Sequence, residues 1–255
     1  MVIHVVGIGR NSGKTRLIQG LTRELTKRDY RVATVKHIFE GTFDTAYKDT
    51  WKHLQAGANP IIAVSSKELV SIKTCTDPSL EKALHEVPRD VDVVLVEGFK
   101  ESDNPKILTA RSLGQVEELM ELATKAIAIS GPIASEKGYP SSIQNTPILE
   151  LGEVVPLVER LLLEAAVKRL PEIDCRRCGY ESCKALATAV LEGKASIDQC
   201  KTLAERDVVL TVDGKSIVLS AFPKNFVRNT VLGMIKTLRG VKAAPHAISL
   251  VIELD

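Results

Sequence analysis

The chain begins with an apolar run from Val2 to Val6, broken only by His4, and the run ends in Gly7-Ile8-Gly9. From Gly13 onward the apolar positions change their spacing to Leu17, Ile18, Leu21 and Leu25, the recurrence of an amphipathic helix. This predicts a strand, a glycine-bearing loop and a helix. Further along, Arg31 to Val35 reads as a strand and Asp49 to Ala56 as a helix stopped by Gly57. Pro60 to Val64 and Leu69 to Lys73 are strand candidates, and Pro78 to His85 is a helix. Val91 to Val96 is apolar at nearly every position, as expected of a central parallel strand covered on both faces. Pro105 to Ala110 and Lys125 to Ile129 supply further strands, and Val154 to Leu170 a closing helix. Alternating strands and helices predict a doubly wound, mostly parallel α/β domain over residues 1–170.

Pro171 breaks that helix and opens a cysteine-bearing segment over residues 171–206. Within it, Lys184 to Leu191 is alanine-rich and helical until Gly193. A third unit, residues 207–255, has the pattern β-β-α-β. Val208 to Val212 and Ser216 to Leu219 flank Asp213-Gly214, a pair that tolerates the positive φ angles of a type I′ hairpin turn. Phe226, Val227, Val231, Met234, Ile235 and Leu238 recur at helical spacing, and Ala247 to Leu254 is the last strand. So small a unit seldom stands alone, and it is expected to pack on the cysteine segment or across a dimer.

Charge narrows the class of partner. Among 255 residues, Lys and Arg total 34 against 32 Asp and Glu, so no excess positive field argues for nucleic acid or an anionic membrane. Small ligands fit better. No apolar run approaches the roughly 20 residues that span a bilayer, and residues 1–6 are too short and uncharged for a signal peptide. The expected location is the cytosol. Of the five cysteines, all but Cys75 fall between Cys175 and Cys200, which in a reducing compartment reads as metal ligation before disulfides. Cys75 is expected to be a small buried side chain.

The segment Asn11-Ser12-Gly13-Lys14-Thr15-Arg16, set between a buried strand and a helix, has the makings of a P-loop. Such a loop needs backbone N–H groups converging on phosphates, a Lys to reach the β and γ oxygens, and a hydroxyl for Mg2+. Lys14 and Thr15 supply the last two, while Asn11, Ser12, Gly13 and Arg16 surround the phosphates. The strict pattern also asks for Gly five residues before Gly13. Ile8 stands there, between Gly7 and Gly9. A carboxylate for the metal is expected at the carboxyl end of a neighbouring strand, where Glu97 sits before Gly98. Asp92 begins the same strand and reads as structural. Asp44, in the loop after the second strand, reads either as a water-mediated metal contact or as a solvated loop carboxylate.

The combination of Asn11 to Thr15, Val35-Lys36-His37, Asp44 with Lys48-Asp49-Thr50, Ala56-Gly57-Ala58, Val96-Glu97-Gly98-Phe99-Lys100 and Pro105-Lys106-Ile107 resembles the molybdopterin-guanine dinucleotide biosynthesis protein B (MobB) family. The likeness runs over roughly residues 1–165. It implies a P-loop domain that binds GTP, hydrolyses it weakly, forms a homodimer and assists a partner enzyme that joins GMP to molybdopterin. By resemblance, Lys14 and Glu97 take the catalytic places, with Thr15 and Glu97 on Mg2+. Lys36, His37 and Lys100 line the place for a phosphorylated pterin or the partner; each also has an ordinary reading as a solvated or hydrogen-bonded loop residue. The guanine preference rests on the resemblance, because no Asn-Lys-x-Asp signature is present and Ser130-Gly131 offers no base-reading carboxylate.

Cys175-x2-Cys178-x4-Cys183, followed after sixteen intervening residues by Cys200, gathers four thiols in one short segment. Structural zinc usually shows two compact Cys-x2-Cys knuckles, whereas three cysteines on a loop and a fourth returning after a helix suit a cubane cluster. The surrounding residues, from Asp174-Cys175 through Cys178-Gly179-Tyr180 to Asp198-Gln199-Cys200, resemble the [4Fe-4S] module of electron-transport ferredoxin-like subunits and corrinoid iron-sulfur proteins. Zinc is the alternative. Alanines 185, 187 and 189 would allow close helix packing, with Leu186 and Val190 shielding the sulfurs. The chain therefore reads as a cytosolic GTP-binding accessory protein for molybdenum or tungsten cofactor assembly. The rival is a nucleotide-driven electron-transfer or activator protein for a metal-cofactor enzyme.

Overall fold

The computed structural model describes residues 1–38, 48–88, 90–136, 138–204, 210–212, 215–217 and 221–238, with single residues at 208, 219, 248 and 250. It divides into two compact units, Met1–Leu162 and Leu163–Asp255, the division falling inside one helix. Among the described residues no helix is long and apolar enough to cross a membrane.

The first unit is a parallel α/β sheet, as its strand pattern predicts. Strands β1 (Val2–Val6), β2 (Val32–Lys36), β5 (Val93–Glu97), β6 (Lys106–Thr109) and β7 (Ala126–Ser130) lie in the order β2-β5-β1-β6-β7. All four pairings are parallel. β5 is buried at every position but the last, which explains its unbroken apolar run. It starts after Asp92, whose carboxylate takes two bonds from the Arg31 guanidinium, at 2.9 and 3.1 Å. Register then sets the carboxyl edge. Val5 pairs with Glu97, and Lys36 pairs with Glu97 from the other side.

Helix α1 (Lys14–Thr26) lays Leu17, Ile18, Leu21 and Leu25 on the sheet. Each such burial stabilises by roughly 1.5–3 kcal/mol, which anchors the end of the preceding loop. Helix α2 (Asp49–Gln55) leads to β3 (Ile61–Val64) and β4 (Leu69–Ile72). These two pair antiparallel with each other and stand outside the parallel sheet. They leave Ile62, Val64, Leu69 and Val70 exposed. Cys75, just beyond, is exposed rather than buried, because its loop turns outward and its thiol donates to the Asp77 carbonyl at 3.2 Å. Helix α3 (Leu80–His85) is capped by Ser79, whose hydroxyl accepts from the Lys82 N–H.

An additional helix, α4 (Leu113–Leu122), follows β6. Its Val116 and Leu119 join Val6, Leu108, Ile129 and Ile133 in one buried cluster. A short hairpin, β8 (Ser142–Ile143) with β9 (Thr146–Pro147), precedes α5 (Leu151–Val167).

Two polar side chains sit in the middle of this apolar sheet. His4 and Lys106 face each other across the β1–β6 pair, and both are fully buried. Lys106 donates to the carbonyls of Ser102, Asn104 and Thr124. His4 bonds the Gly98 carbonyl through Nδ1 at 2.9 Å, so that nitrogen carries the proton, and Nε2 faces the Asn104 amide at 3.5 Å. Burial, with the Lys106 charge adding to it, pushes the His4 imidazole below its usual pKa against the pull of the Gly98 carbonyl.

In the second unit, α6 (Cys183–Leu191) is capped by Ser182, which accepts from the Ala185 N–H at 3.0 Å. α7 (Lys201–Ala204) and the antiparallel pair β10 (Leu210–Val212) and β11 (Lys215–Ile217) follow, then α8 (Ala221–Lys236). The Asp213-Gly214 turn and the final strand expected at Ala247 to Leu254 lie outside the described residues, apart from 248 and 250.

Candidate triphosphate site and cysteine loop

The loop between β1 and α1 is shaped by two glycines for different reasons. A Cβ on Gly7 would lie 2.4 Å from Ser12 Oγ and 2.5 Å from Thr109 Oγ1, so only Gly permits this approach. Gly9 has open space around it but a φ of 66°, which L-residues rarely adopt. Ile8, at the position where the strict pattern asks for Gly, turns its side chain against the buried cluster under β6 and β7. The departure from the pattern is thus absorbed by the glycines on either side. Gly13 caps α1 in the left-handed region, with φ 99°. The N–H groups of the first helical turn face the loop and make an anion-binding end.

Ser12 is buried, with its hydroxyl 3.4 Å from Thr109 Oγ1, and Thr109 donates onward to the Val6 carbonyl at 3.2 Å. Asn11 is in the left-handed region, and its carbonyl accepts from Arg111 Nε at 2.9 Å. Lys14 bends back over the loop, Nζ donating to the Gly9 carbonyl at 2.8 Å and to Ser12 Oγ at 3.0 Å. Burial lowers the Lys14 pKa; Glu97 opposes that shift, and the Lys100 and Lys36 charges add to it. Thr15 Oγ1 lies 3.2 and 3.1 Å from the two oxygens of Glu97, and Lys36 Nζ stands 3.4 Å from Glu97 Oε1. Arg16 is exposed on the first turn of α1.

The turn after Glu97 takes successive positive φ angles, 103° at Gly98 and 51° at Phe99. It stacks the Phe99 ring on His37 with centroids 4.3 Å apart. The structure therefore brings Lys14, Thr15, Lys36, Glu97 and Lys100 around one edge of the sheet, with His37 at its border. Asp44 lies outside the described residues. Thr109, Arg111 and Phe99 are additions that the motif alone does not reveal. Thr109 ends β6 and Arg111 lies just beyond it, so the rule that ligands gather at carboxyl ends of parallel strands would have pointed there.

The cysteines are divided between burial and exposure. Cys183 and Cys200 are buried in one apolar cluster with Leu170, Leu186 and Ala187, and Cys178 packs against it with Val190. Cys175 is exposed, its Sγ 3.4 Å from Thr202 Oγ1. The Thr202 hydroxyl, with the Arg177 N–H behind it, holds that thiol below its usual pKa. Among the described residues no three His, Cys, Asp or Glu side chains are gathered as a ready metal site. The backbone is unusual here. Glu172, Asp174 and Arg176 all have positive φ, alternating with residues that do not.

A family model described as "Molybdopterin guanine dinucleotide synthesis protein B" (MobB) matches residues 2–131, the stretch that carries the described residues of this candidate site. The chain belongs to the MobB family. A second model, described as "Putative Fe-S cluster", matches residues 170–202. A Methanocaldococcus jannaschii protein named "Putative molybdopterin-guanine dinucleotide biosynthesis adapter protein" is 28% identical over 260 residues, covering 100% of this chain and 98% of that relative. A 36-residue stretch, 14% of this chain, is 56% identical to part of the acetyl-CoA decarbonylase/synthase complex subunit gamma of the same organism, 7% of that subunit. Among solved structures, Bacillus subtilis MobB superposes with a TM-score of 0.50 at 24% identity, over 62% of this chain and 96% of that one. That likeness supports the MobB fold.

Proposed function

We propose that this MobB-family protein is a GTP-binding accessory factor in molybdenum or tungsten cofactor assembly, assisting a partner enzyme that joins GMP to molybdopterin. The observation that carries this reading is the convergence of Lys14, Thr15 and Glu97 on the carboxyl edge of the parallel sheet. Lys14 would exchange its loop carbonyls for the β and γ phosphate oxygens, a stronger charge-assisted pairing. Thr15 and Glu97 would hold Mg2+. The Thr15 hydroxyl already lies beside the Glu97 carboxylate, and a hydroxyl beside a carboxylate is a donor set that suits a hard dication. When bound, Mg2+ supplies neutralisation of phosphate charge. Lys14 and the α1 N-terminus orient the phosphates, while Lys36, His37 and Lys100 face the side from which a phosphorylated pterin or the partner would approach.

The second unit is assigned a [4Fe-4S] cluster held by Cys175, Cys178, Cys183 and Cys200. Four thiols are the donor set such a cluster uses, and Cys178, Cys183 and Cys200 border one apolar cluster that would exclude water. Positive φ at Glu172, Asp174 and Arg176 bends the backbone on both sides of Cys175. Closing the ligand set requires Cys175 to turn in from Thr202. Residues 1–170, 171–206 and 207–255 then act as nucleotide, cluster and tail segments of a cytosolic protein. The exposed apolar faces of β3 and β4 suit a homodimer contact.

Calorimetric titration with GTP and with ATP, each with and without Mg2+, tests the nucleotide assignment. Saturable binding of GTP that tightens with Mg2+ and exceeds that of ATP is expected. Equal failure of both nucleotides would remove it.

A further inference from the structure

The P-loop has two flanks, and the strand order makes them chemically unequal. β5 and β2 lie on one side of β1, and β6 and β7 on the other. The first flank carries Glu97 and Lys36, with Lys100 just beyond, and these are the charges felt by Lys14. The second flank is closed by uncharged residues. Gly131 stands so near the loop that an added Cβ would come within 2.9 Å of the Ser12 carbonyl, and Pro132 Cδ lies 3.0 Å from where a Cβ on Gly13 would be. The charged side chain that joins this flank to the loop is Arg111, whose Nε donates to the Asn11 carbonyl at 2.9 Å.

Arg111 is held at both ends. Its main-chain N–H donates to Gln115 Oε1 at 2.9 Å, in the first turn of α4, while its side chain is tied to Asn11. The residue is nonetheless exposed, and among the described residues nothing bonds its two terminal nitrogens. The loop does not require this tie for its own shape. Asn11 has a φ of 64°, and Asn enters the left-handed region more readily than most other residues with a side chain. What the bond does is keep a planar cation at a set place on the rim, with one edge committed and the rest unbonded.

We propose that Arg111 is the nucleoside clamp of this site, its guanidinium plane packing on the purine base of the bound triphosphate, on the flank opposite Mg2+. The proposal rests on the triphosphate reading of the loop and adds the direction in which the nucleotide lies. A triphosphate is a chain whose terminal phosphate belongs where Thr15, Glu97 and the lysines gather, so the nucleoside leaves by the β6–β7 flank. Gly131 and Pro132 offer a phosphate no charged group there. A flat base gains on such a neutral rim and on a guanidinium face, which is rigid, delocalised and weakly hydrated. Stacking does not read the edge of the base, so the clamp contributes affinity rather than choice of purine.

The test uses full-length Arg111→Ala and Arg111→Lys, the second keeping the charge but not the plane. Calorimetry at saturating Mg2+ compares GTP with inorganic tripolyphosphate. Both variants are expected to bind GTP roughly fivefold or more weakly than wild type, and tripolyphosphate within about twofold of it. A second measurement follows the base itself, by acrylamide quenching of thienoguanosine triphosphate at saturating protein. The bound base should become about twofold more accessible in both variants, and where tripolyphosphate binds too weakly to read, this quenching decides. Circular dichroism checks that each variant is folded. Equal loss for GTP and tripolyphosphate would reduce Arg111 to a brace of the loop, and wild-type GTP affinity in Arg111→Lys would reduce it to a point charge; either overturns the clamp, as does unchanged quenching. The two readings fail separately. A wild type that binds neither ligand removes the triphosphate site itself, whereas a wild type that binds GTP with Arg111 indifferent removes only the clamp.

Discussion

Thr15 and Glu97, 82 positions apart in sequence, meet with Thr15 Oγ1 at 3.2 and 3.1 Å from the two carboxylate oxygens. The meeting is a product of register, because β1 feeds α1 directly and pairs with β5 so that Val5 lies level with Glu97. Glu97→Gln keeps the shape and the bond to Thr15 but removes the charge. It should weaken Mg2+-dependent triphosphate binding roughly tenfold, about 1.4 kcal/mol, while leaving the weaker Mg2+-free binding unchanged. Calorimetry with and without Mg2+ reads both.

Gly7 and Gly9 separate steric need from conformational need. Gly7→Ala places a methyl within 2.7 Å of three oxygens of Ser12 and Thr109, so the loop must shift. A loss of about 1–3 kcal/mol of stability is expected, as for overpacking, together with loss of triphosphate affinity. Gly9→Ala meets nothing and should cost only the left-handed penalty of roughly 1–2 kcal/mol. Urea unfolding of the two variants, with nucleotide titration of each, compares them.

His4 makes stability depend on pH. Its folded pKa lies below the ordinary histidine value of about 6.5, so between the two values the unfolded chain binds more protons. Stability from this residue is complete above about pH 6.5 and is lost as pH falls toward the folded value. His4→Asn can still donate to the Gly98 carbonyl but does not titrate. It should flatten the part of the pH dependence that His4 contributes, seen in urea midpoints measured from pH 8 down to 5.

In the cysteine segment, Cys183 begins α6 with its N–H on Asp174 Oδ1 at 2.6 Å. Cys183→Ala should abolish the broad iron-sulfur absorption of anaerobically prepared protein. Metal analysis that finds zinc without iron in the wild type would replace the cluster by the zinc alternative.

The parts of the fold that sequence reveals are those where burial is two-sided or spacing is regular. β1 and β5 are legible because covered parallel strands are apolar throughout. Glu97 is legible because it ends such a strand. Helix α4 is less visible because it is short and carries Gly114 in its first turn, although Ser112 and the Val116–Leu119 spacing mark it. Lys106 is hidden for another reason: a lysine reads as surface, and only the fold supplies the three carbonyls that keep it buried. The same holds for Cys75, whose exposure depends on how one loop turns, and for the His37–Phe99 stack, which needs a left-handed phenylalanine that no propensity would suggest. β3 and β4 had recognisable strand patterns, but spacing alone does not say that they pair with each other and not with the sheet.

The central claim is that this chain assists attachment of GMP to molybdopterin through a GTP site built on Lys14, Thr15 and Glu97. The most direct measurement is guanine dinucleotide cofactor formed by the GMP-transferring partner enzyme, with GTP, with and without the full-length protein. Wild type is expected to raise the yield or rate, and Lys14→Ala is not. No stimulation by wild type, with the cysteine segment either reduced or oxidised, would contradict it.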